Sequence, residues 1–488
     1  MTTEQPDDSR PHVVMAVATG IAQDARVRKT ALSVAAAGYR VTLVWGDTGG
    51  SARTAGTLGP VTTLGLPVHY TRRDRRVHAR GARRRWRLPV VSYTSAQARR
   101  SAQQGLKRDG AAAGNRTLFG RLSHGARRQT HLWRSRALTV QDYVLVRAWH
   151  RVDRFRIRNR ALLSWRRELP NIADLEHAFA PVLRDLNPDI LHIHDVHLLG
   201  AGASAKKALA REHREVPFIY DAHEYIAGMT KGDPIVEGSY LRMEQHYMRA
   251  VDHVITVSDP IAETLRDDYR LSATPTVVLN APLAAQKVPS KRQLRTEVGV
   301  PRDMCLLVYS GVLGVLRNID VLVRALPQLP DTHLAIVCVP HSRTAAAQAF
   351  AVLADELGVG ERLHLVDPVA PDEIIDFLAT ADIGVHPLVT GIPNHEMALP
   401  NKVFDYLHAG LPVAASNVAQ LAELLRTHGI GVTFDPADVD SVAKAITAMW
   451  SDIDTFRKSV RNPDLVQMYS WESQERHLAA LYAALEAR

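Results

Sequence analysis

The sequence predicts an α/β fold: two Rossmann-like domains facing each other, the first interrupted by a basic helical insertion. Short apolar runs alternate with helix-length amphipathic stretches, the pattern of parallel sheets covered by helices on both faces. At 488 residues the chain exceeds what one core usually holds, and its 46% apolar content supports packed domains over disorder. Its charge is also uneven. The net charge is +9, yet Thr71 to Pro170 holds 27 Lys+Arg against 5 Asp+Glu, leaving 33 basic and 46 acidic residues elsewhere. An acidic protein therefore carries a basic insertion.

The elements follow in order. His12–Ala18 is an apolar run ending at Gly20, followed by a helix near Asp24–Ala37 and a strand at Arg40–Trp45. Beyond the insertion (residues 71–170), Ile172–Leu186 reads as a helix and Asp189–His194 as a strand. Strands at Pro217–Tyr220, His253–Val257 and Thr274–Leu279 complete a first domain over residues 11–280. A second series gives strands at Met304–Ser310, His333–Val339, Arg362–Val366, Ile383–Pro387, Pro412–Ser416 and Gly431–Phe434, a domain over residues 283–465. Residues 470–488 form a last helix whose stripe of Trp471, Leu478, Leu481, Tyr482 and Leu485 needs a partner surface, expected across the domains. Ligand is expected in the cleft between the halves, at the carboxyl ends of the strands.

Composition narrows the function. The two cysteines, Cys305 and Cys338, lie in apolar strands and read as buried thiols of a reducing compartment. Met1 to Arg10 is polar, unlike a secretion signal, and no apolar run approaches the ~18 residues of a membrane span. The expected location is the cytoplasm, peripheral on the cytoplasmic face of the membrane. No Gly-x-Gly-x-x-Gly follows the first strand, which argues against a dinucleotide cofactor. Asp438-Val439-Asp440 and Asp452-Ile453-Asp454 fall in or beside late helical patterns and read as surface charge.

The most informative stretch runs from Ala398 through Pro400-Asn401-Lys402-Val403-Phe404-Asp405-Tyr406 to Gly410-Leu411-Pro412-Val413. Pro400 suits the start of a helix, whose free N–H groups and dipole form an anion site. Lys402 adds a cation in the first turn and Asp405 a carboxylate one turn on, the needs of a diphosphate and its ribose; a solvated Lys–Asp pair on an ordinary amphipathic helix is the plain alternative. The stretch resembles the Pro-Asn-Lys-x-hydrophobic-Glu-Tyr-x-x-x-Gly-x-Pro-Val signature of the retaining glycosyltransferases of family 4 (group 1), which have the GT-B fold. The resemblance covers most of the chain outside about residues 60–170. It implies that Asp405 holds the ribose and Asn401 lies at the diphosphate. The family's first acidic residue falls at Met397, so Glu396 beside it is the expected donor-sugar contact. Tyr309-Ser310-Gly311-Val312-Leu313-Gly314-Val315-Leu316-Arg317 resembles the family's phosphate loop, with Gly311 at the turn, Arg317 at the second cationic position and Val312 at the first. The base is expected against the Val366–Pro371 loop, at Pro368 and Val369.

In the first half, Pro188-Asp189-Ile190-Leu191-His192-Ile193-His194-Asp195 and Tyr220-Asp221-Ala222-His223-Glu224 match further family elements. His194 is expected to reach the cleft, joining Arg317 and Lys402 as catalytic residues, and His192 to be a hydrogen-bonded core histidine. Gly20, Asp24, Arg26, Asp195, His223 and Glu224 form the expected acceptor side. Asp24 reads equally as a helix N-cap and Arg26 as a solvated charge. No metal and no cofactor are expected.

The resemblance implies transfer of a sugar from a nucleoside diphosphate sugar to an acceptor hydroxyl with retention, in cell-envelope glycan or glycolipid synthesis. The partners expected are that donor, a lipid-linked or glycan acceptor, and an anionic membrane surface met by the insertion, where Leu138 to Arg167 reads as a basic amphipathic helix. Two other readings stand beside this one. One is a nucleotide-sugar epimerase or hydrolase on the same fold. The other is a basic membrane- or nucleic-acid-binding protein with a degenerate catalytic half; the retained Arg317, Lys402 and Asp405 count against that reading, and nucleic acid is not expected as a partner.

Overall fold

The structure is a computed structural model and describes residues 9–76, 92–93, 98–99, 101–104, 106, 118–159, 164–230, 232–284 and 288–486. The chain divides into a unit of Met1–Val68, Glu176–Thr230 and Glu244–Arg488, and a second of His69–Leu175 and Lys231–Met243. The first unit holds two sheets.

The first sheet contains β1 (His12–Val17), β2 (Arg40–Asp47), β3 (Thr54–Leu58), β4 (Val61–Pro67), β5 (Ile190–His194), β6 (Phe218–Asp221), β7 (His253–Thr256) and β8 (Thr276–Val277), in spatial order β3-β4-β2-β1-β5-β6-β7-β8. Every pairing is parallel except β3 with β4. That antiparallel hairpin is not among the expected strands. Thr54–Leu58 is mostly exposed and small, so no apolar alternation marks it.

The second sheet contains β9 (Cys305–Val312), β10 (Thr332–Val339), β11 (Leu363–Val366), β12 (Ile383–His386), β13 (Val413–Ser416) and β14 (Gly431–Phe434), all parallel, in the order β11-β10-β9-β12-β13-β14. Its strands match the expected ones to within one or two residues. The pleat sorts them into two cores: Leu306, Val308, Ala335 and Val337 face one side, and Leu307, Tyr309, Leu334 and Ile336 the other. Both cysteines are buried and free. The strand order reverses at β1/β5 in the first sheet and at β9/β12 in the second, the switch points where doubly wound sheets bind ligands.

Five helices matter below: α1 (Ala25–Ala36), α2 (Leu118–Arg158), α3 (Pro393–Met397), α4 (Asn401–His408) and α5 (Trp471–Glu486). The apolar stripe of α5 joins the core of the first sheet with Val27, Ala31 and Val34 of α1. Trp471 donates its indole N–H to Ser33 Oγ at 2.9 Å, and its backbone N–H to Pro282 O at 2.7 Å.

In the second unit, α2 begins before the expected Leu138 and ends before Arg167. Leu138 is buried, Gln141 accepts from Ser92 Oγ at 2.8 Å, and His131 Nδ1 lies 2.8 Å from Tyr93 Oη. Within the basic insertion, most of residues 77–117 lie outside the described residues.

Candidate functional site

The second sheet's switch point is built from the ends of β9 and β12 and the start of α4. Gly311 turns the chain at φ 136°, where side chains are disfavoured, and the Lys402 side chain occupies the space above it. A Cβ at 311 would lie 2.5 Å from Lys402 Cε and 2.8 Å from Nζ. Lys402 Nζ also stands 5.5 Å from the Tyr309 ring centroid. Pro400 is the N-cap of α4, one position earlier than expected, and no side chain caps the helix there.

The charges here are crowded. Burial and the neighbouring Arg317 guanidinium lower the Lys402 ammonium to about 8. Burial raises the Asp405 carboxyl to about 6, against the pull of Lys29 and Lys402. Lys29 of α1, on the first sheet, acts on Asp405 through its charge; its ammonium donates to Ala281 O, lies over the Trp471 ring, and is lowered to about 8 by burial. Lys402 and Arg317 thus hold positive charge in one place at a cost that a bound anion would offset.

His386 ends β12 on the strand face where Gly384 packs against the Tyr406 ring. Tyr406 lies one turn beyond Lys402 on α4, so His386 sits beneath Lys402. It is fully buried, and among the described residues neither ring nitrogen has a hydrogen-bond partner. Burial, then Lys402 and Arg317, keep it neutral.

In the first sheet, polar groups gather at the ends of β5 and β6. Asp221 accepts two bonds from Arg26 of α1 (Nε 2.9 Å, Nη2 2.7 Å), while Arg26 Nη1 donates to Val278 O at 2.6 Å. His194 Nδ1 lies 3.1 Å and His223 Nε2 3.3 Å from the same Asp221 oxygen. Although burial opposes it, Arg26 holds the Asp221 carboxyl far below its ordinary range. Burial likewise opposes protonation of His223, but Asp221 outweighs it and raises the imidazole. His192, as expected, is a hydrogen-bonded core histidine, its Nδ1 2.7 Å from Tyr482 Oη. His192, His194 and Asp221 could offer three metal-ligand atoms within 4.8 Å of one another. However, Asp221 already carries the bidentate Arg26 guanidinium, whose positive charge would oppose a cation there.

Several expected site residues have other work. Arg26 is 3% exposed and ion-paired, not solvated. Asp24 caps α1 by accepting from Val27 N at 3.1 Å. Gly20 has an extended backbone and open space at its Cβ position. Asp195 accepts from Val196 N at 2.7 Å and pairs with His197 at 3.1 Å. Glu396 accepts from the N–H groups of Gly391 and Ala419, both at 2.8 Å, so its two oxygens hold loops together. The Pro368 carbonyl accepts from Arg292 at 3.2 Å, and Val369 packs on the core. His194 ends its strand but is fully buried, while Glu224 is exposed. Arg317, Lys402, Asp405 and Gly311 come together, with Asn401 at the first position of α4.

Lys29, His386 and Asp221 were not singled out by the sequence reading. The spacing of Arg26, Lys29 and Ser33 on one face of α1 is the signal that could have found Lys29. Asn394 Oδ1 of α3 accepts from Tyr225 N at 3.1 Å, joining the two sheets' loops near this site.

Comparisons with known proteins agree with this architecture. The fold is shared with solved structures. A sucrose-phosphate synthase from Thermosynechococcus elongatus aligns with 98% of this chain and 100% of its own at TM-score 0.64 and 15% identity. An Escherichia coli protein described as trehalose-6-phosphate bound with UDP-2-fluoro glucose aligns with 97% and 98% at TM-score 0.57 and 13% identity. Residues 305–452 match the family described as Glycosyl transferases group 1, and residues 124–282 match Glycosyltransferase Family 4. The chain belongs to the group 1/family 4 glycosyltransferases, with the GT-B fold. Among curated proteins, a D-inositol 3-phosphate glycosyltransferase of Acidothermus cellulolyticus is 26% identical over 255 residues, 49% of this chain and 55% of that protein. Across the first relatives the chain spans 55 to 65% of their length.

Proposed function

We propose that this chain transfers a sugar from a nucleoside diphosphate sugar to an acceptor hydroxyl with retention of anomeric configuration. The observation that carries this is Lys402, folded over a side-chain-free Gly311 beside Arg317 and one helical turn from Asp405. Breaking the donor's glycosidic bond puts negative charge on the departing diphosphate. Preorganised cations at that point stabilise the transition state more than the ground state. Lys402 and Arg317 supply that charge, and Asp405 accepts from the ribose hydroxyls. The proposed reaction needs no metal, because the two side chains replace it as counter-charge.

The acceptor would enter from the first sheet, where the His223–Asp221–Arg26 cluster lies. The curated relative named for D-inositol 3-phosphate makes a hydroxyl-rich acceptor a reasonable class to test, alongside lipid-linked and glycan acceptors in cell-envelope synthesis. α2 supports attachment to an anionic membrane surface. Trp133, Val140, Tyr143, Val144 and Phe155 are 56–61% exposed, with Arg136, Arg147 and Arg151 exposed among them. Such a face lies in the headgroup region, apolar side down, and each basic residue near anionic lipid adds about 1 kcal/mol. On the opposite side of α2, Leu138 is buried. No helix among the described residues is long and apolar enough to cross a membrane.

A thermal-shift screen against a panel of nucleotide sugars identifies the donor, since a native-state ligand raises Tm by mass action. Assays for sugar transfer and for release of free sugar then follow with that donor. Transfer that depends on Lys402 and Arg317 is expected. A protein stabilised by no nucleotide sugar, or one that only hydrolyses or epimerises the donor, would overturn the reading.

A further inference from the structure

A hollow of about 600 Å³ opens on the second sheet's domain at the amino ends of β12 and β13, the strand ends opposite the proposed donor site. Its floor is Asp382, just before β12. The carboxylate accepts from Arg295 Nη2, from Arg457 Nη2 at 2.5 Å and from Leu306 N at 2.8 Å. Arg295 is further tied to Thr380 O at 2.9 Å and Pro301 O at 2.6 Å. These bonds make a rigid framework whose single carboxylate is fully used.

Two more arginines complete the lining, Arg302 and Arg461, both exposed. Among the described residues, neither guanidinium has a hydrogen-bond or ion-pair partner. Arg461 lies over Gly410, where a Cβ would come 3.5 Å from its Nε. The lining therefore holds four guanidinium groups against one carboxylate; Asp454 pairs with Arg457 at 3.6 Å from outside the lining, which leaves a surplus of two positive charges in a concave, mostly polar space. Like charges are not gathered this way for stability, since each raises the cost of the next. Guanidinium groups bind phosphate through paired N–H donors, and the volume lies in the range of ligand pockets.

We propose that this hollow binds the phosphate group of a small phosphorylated molecule, with Arg302 and Arg461 as the gripping residues on the Arg295–Asp382–Arg457 framework. The site is separate from the donor site and does not rest on the sugar-transfer reading. Apart from the fully used Asp382, the described residues of its lining include no Asp, Glu, His, Cys or Lys, so its role is binding.

The probe is inorganic pyrophosphate, titrated calorimetrically at 150 mM salt into full-length protein carrying Lys402→Ala and Arg317→Ala, which weaken the proposed donor site. Saturable binding is expected to remain there and to weaken at least tenfold when Arg302→Ala and Arg461→Ala are added. Those two changes leave the framework intact, so Tm and the response to nucleotide sugars in an otherwise wild-type chain should hold. A second arm measures sedimentation with phosphatidic acid vesicles. If Arg302→Ala/Arg461→Ala weakens vesicle binding but pyrophosphate does not bind, the same phosphate chemistry is assigned to a lipid headgroup. If the two changes alter neither measurement in a folded protein, the proposal is overturned.

Discussion

Raising the pH should weaken binding of the donor's nucleoside diphosphate, through Lys402. Burial and Arg317 lower this ammonium from 10.5 to about 8 in the free protein. A diphosphate beside it restores the preference for the charged form, so binding takes up a proton wherever the free protein has lost one. Affinity should hold below about pH 8 and fall above it, approaching tenfold per pH unit up to the ordinary lysine range. Two such units amount to roughly 2.7 kcal/mol. For the unliganded protein the sign is reversed: the unfolded chain binds the extra proton between about 8 and 10.5, so this residue makes folding more favourable as the pH rises there. Calorimetric titrations at several values from pH 7.5 to 9.5, in buffers of different ionisation heat, measure both affinity and proton uptake. Lys402→Met should bind more weakly at pH 7.5 and lose most of the slope. Lys29 titrates in the same range, so Lys29→Met is the control and should keep a Lys402-dependent slope. Wild-type affinity that stays constant to pH 9.5, or an undiminished slope in Lys402→Met, would refute the assignment of Lys402 to the diphosphate.

Four further outcomes are expected. Gly311→Ala places a Cβ 2.5 Å from Lys402 Cε at φ 136° and should lower kcat by about 10² while the far-UV CD spectrum stays native; unchanged turnover would show that Lys402 need not lie over the loop. Arg26→Met leaves Asp221 without its buried guanidinium and should cost about 3–5 kcal/mol in denaturant unfolding; a loss under 1 kcal/mol would mean His223 alone suffices as counter-ion. Transfer activity should survive EDTA, and loss restored by Mn²⁺ or Mg²⁺ would reassign the counter-charge to a metal. Replacing Trp133, Val144 and Phe155 together by Ser should abolish sedimentation with anionic vesicles without lowering Tm, because all three are exposed; sedimentation equal to wild type would remove α2 from membrane contact.

Much of the fold was legible because its determinants are local. The four central strands of the second sheet are buried on both faces, so they read as continuous apolar runs, and their predicted ends are close. The apolar stripe of α5 announced a buried face, and Lys402 and Asp405 share one short segment with the proline that starts their helix. The β3–β4 hairpin escaped because its outer strand buries almost nothing and so carries no periodicity. What the tertiary structure alone decided concerns partners far apart in the chain. Arg26 and Asp221 are 195 residues apart, and nothing near either one says that the guanidinium is buried. Glu396 looked free beside the motif, yet its oxygens are taken by Gly391 and by Ala419, 23 residues further on. His386 reads as an ordinary strand residue until α4 lays Lys402 above it. Periodicity and caps are written in neighbouring residues, because local backbone geometry sets them. Burial and charge at a site depend on which distant elements the packed sheets bring together, and for Arg26, Lys29 and His386 that packing decided the role.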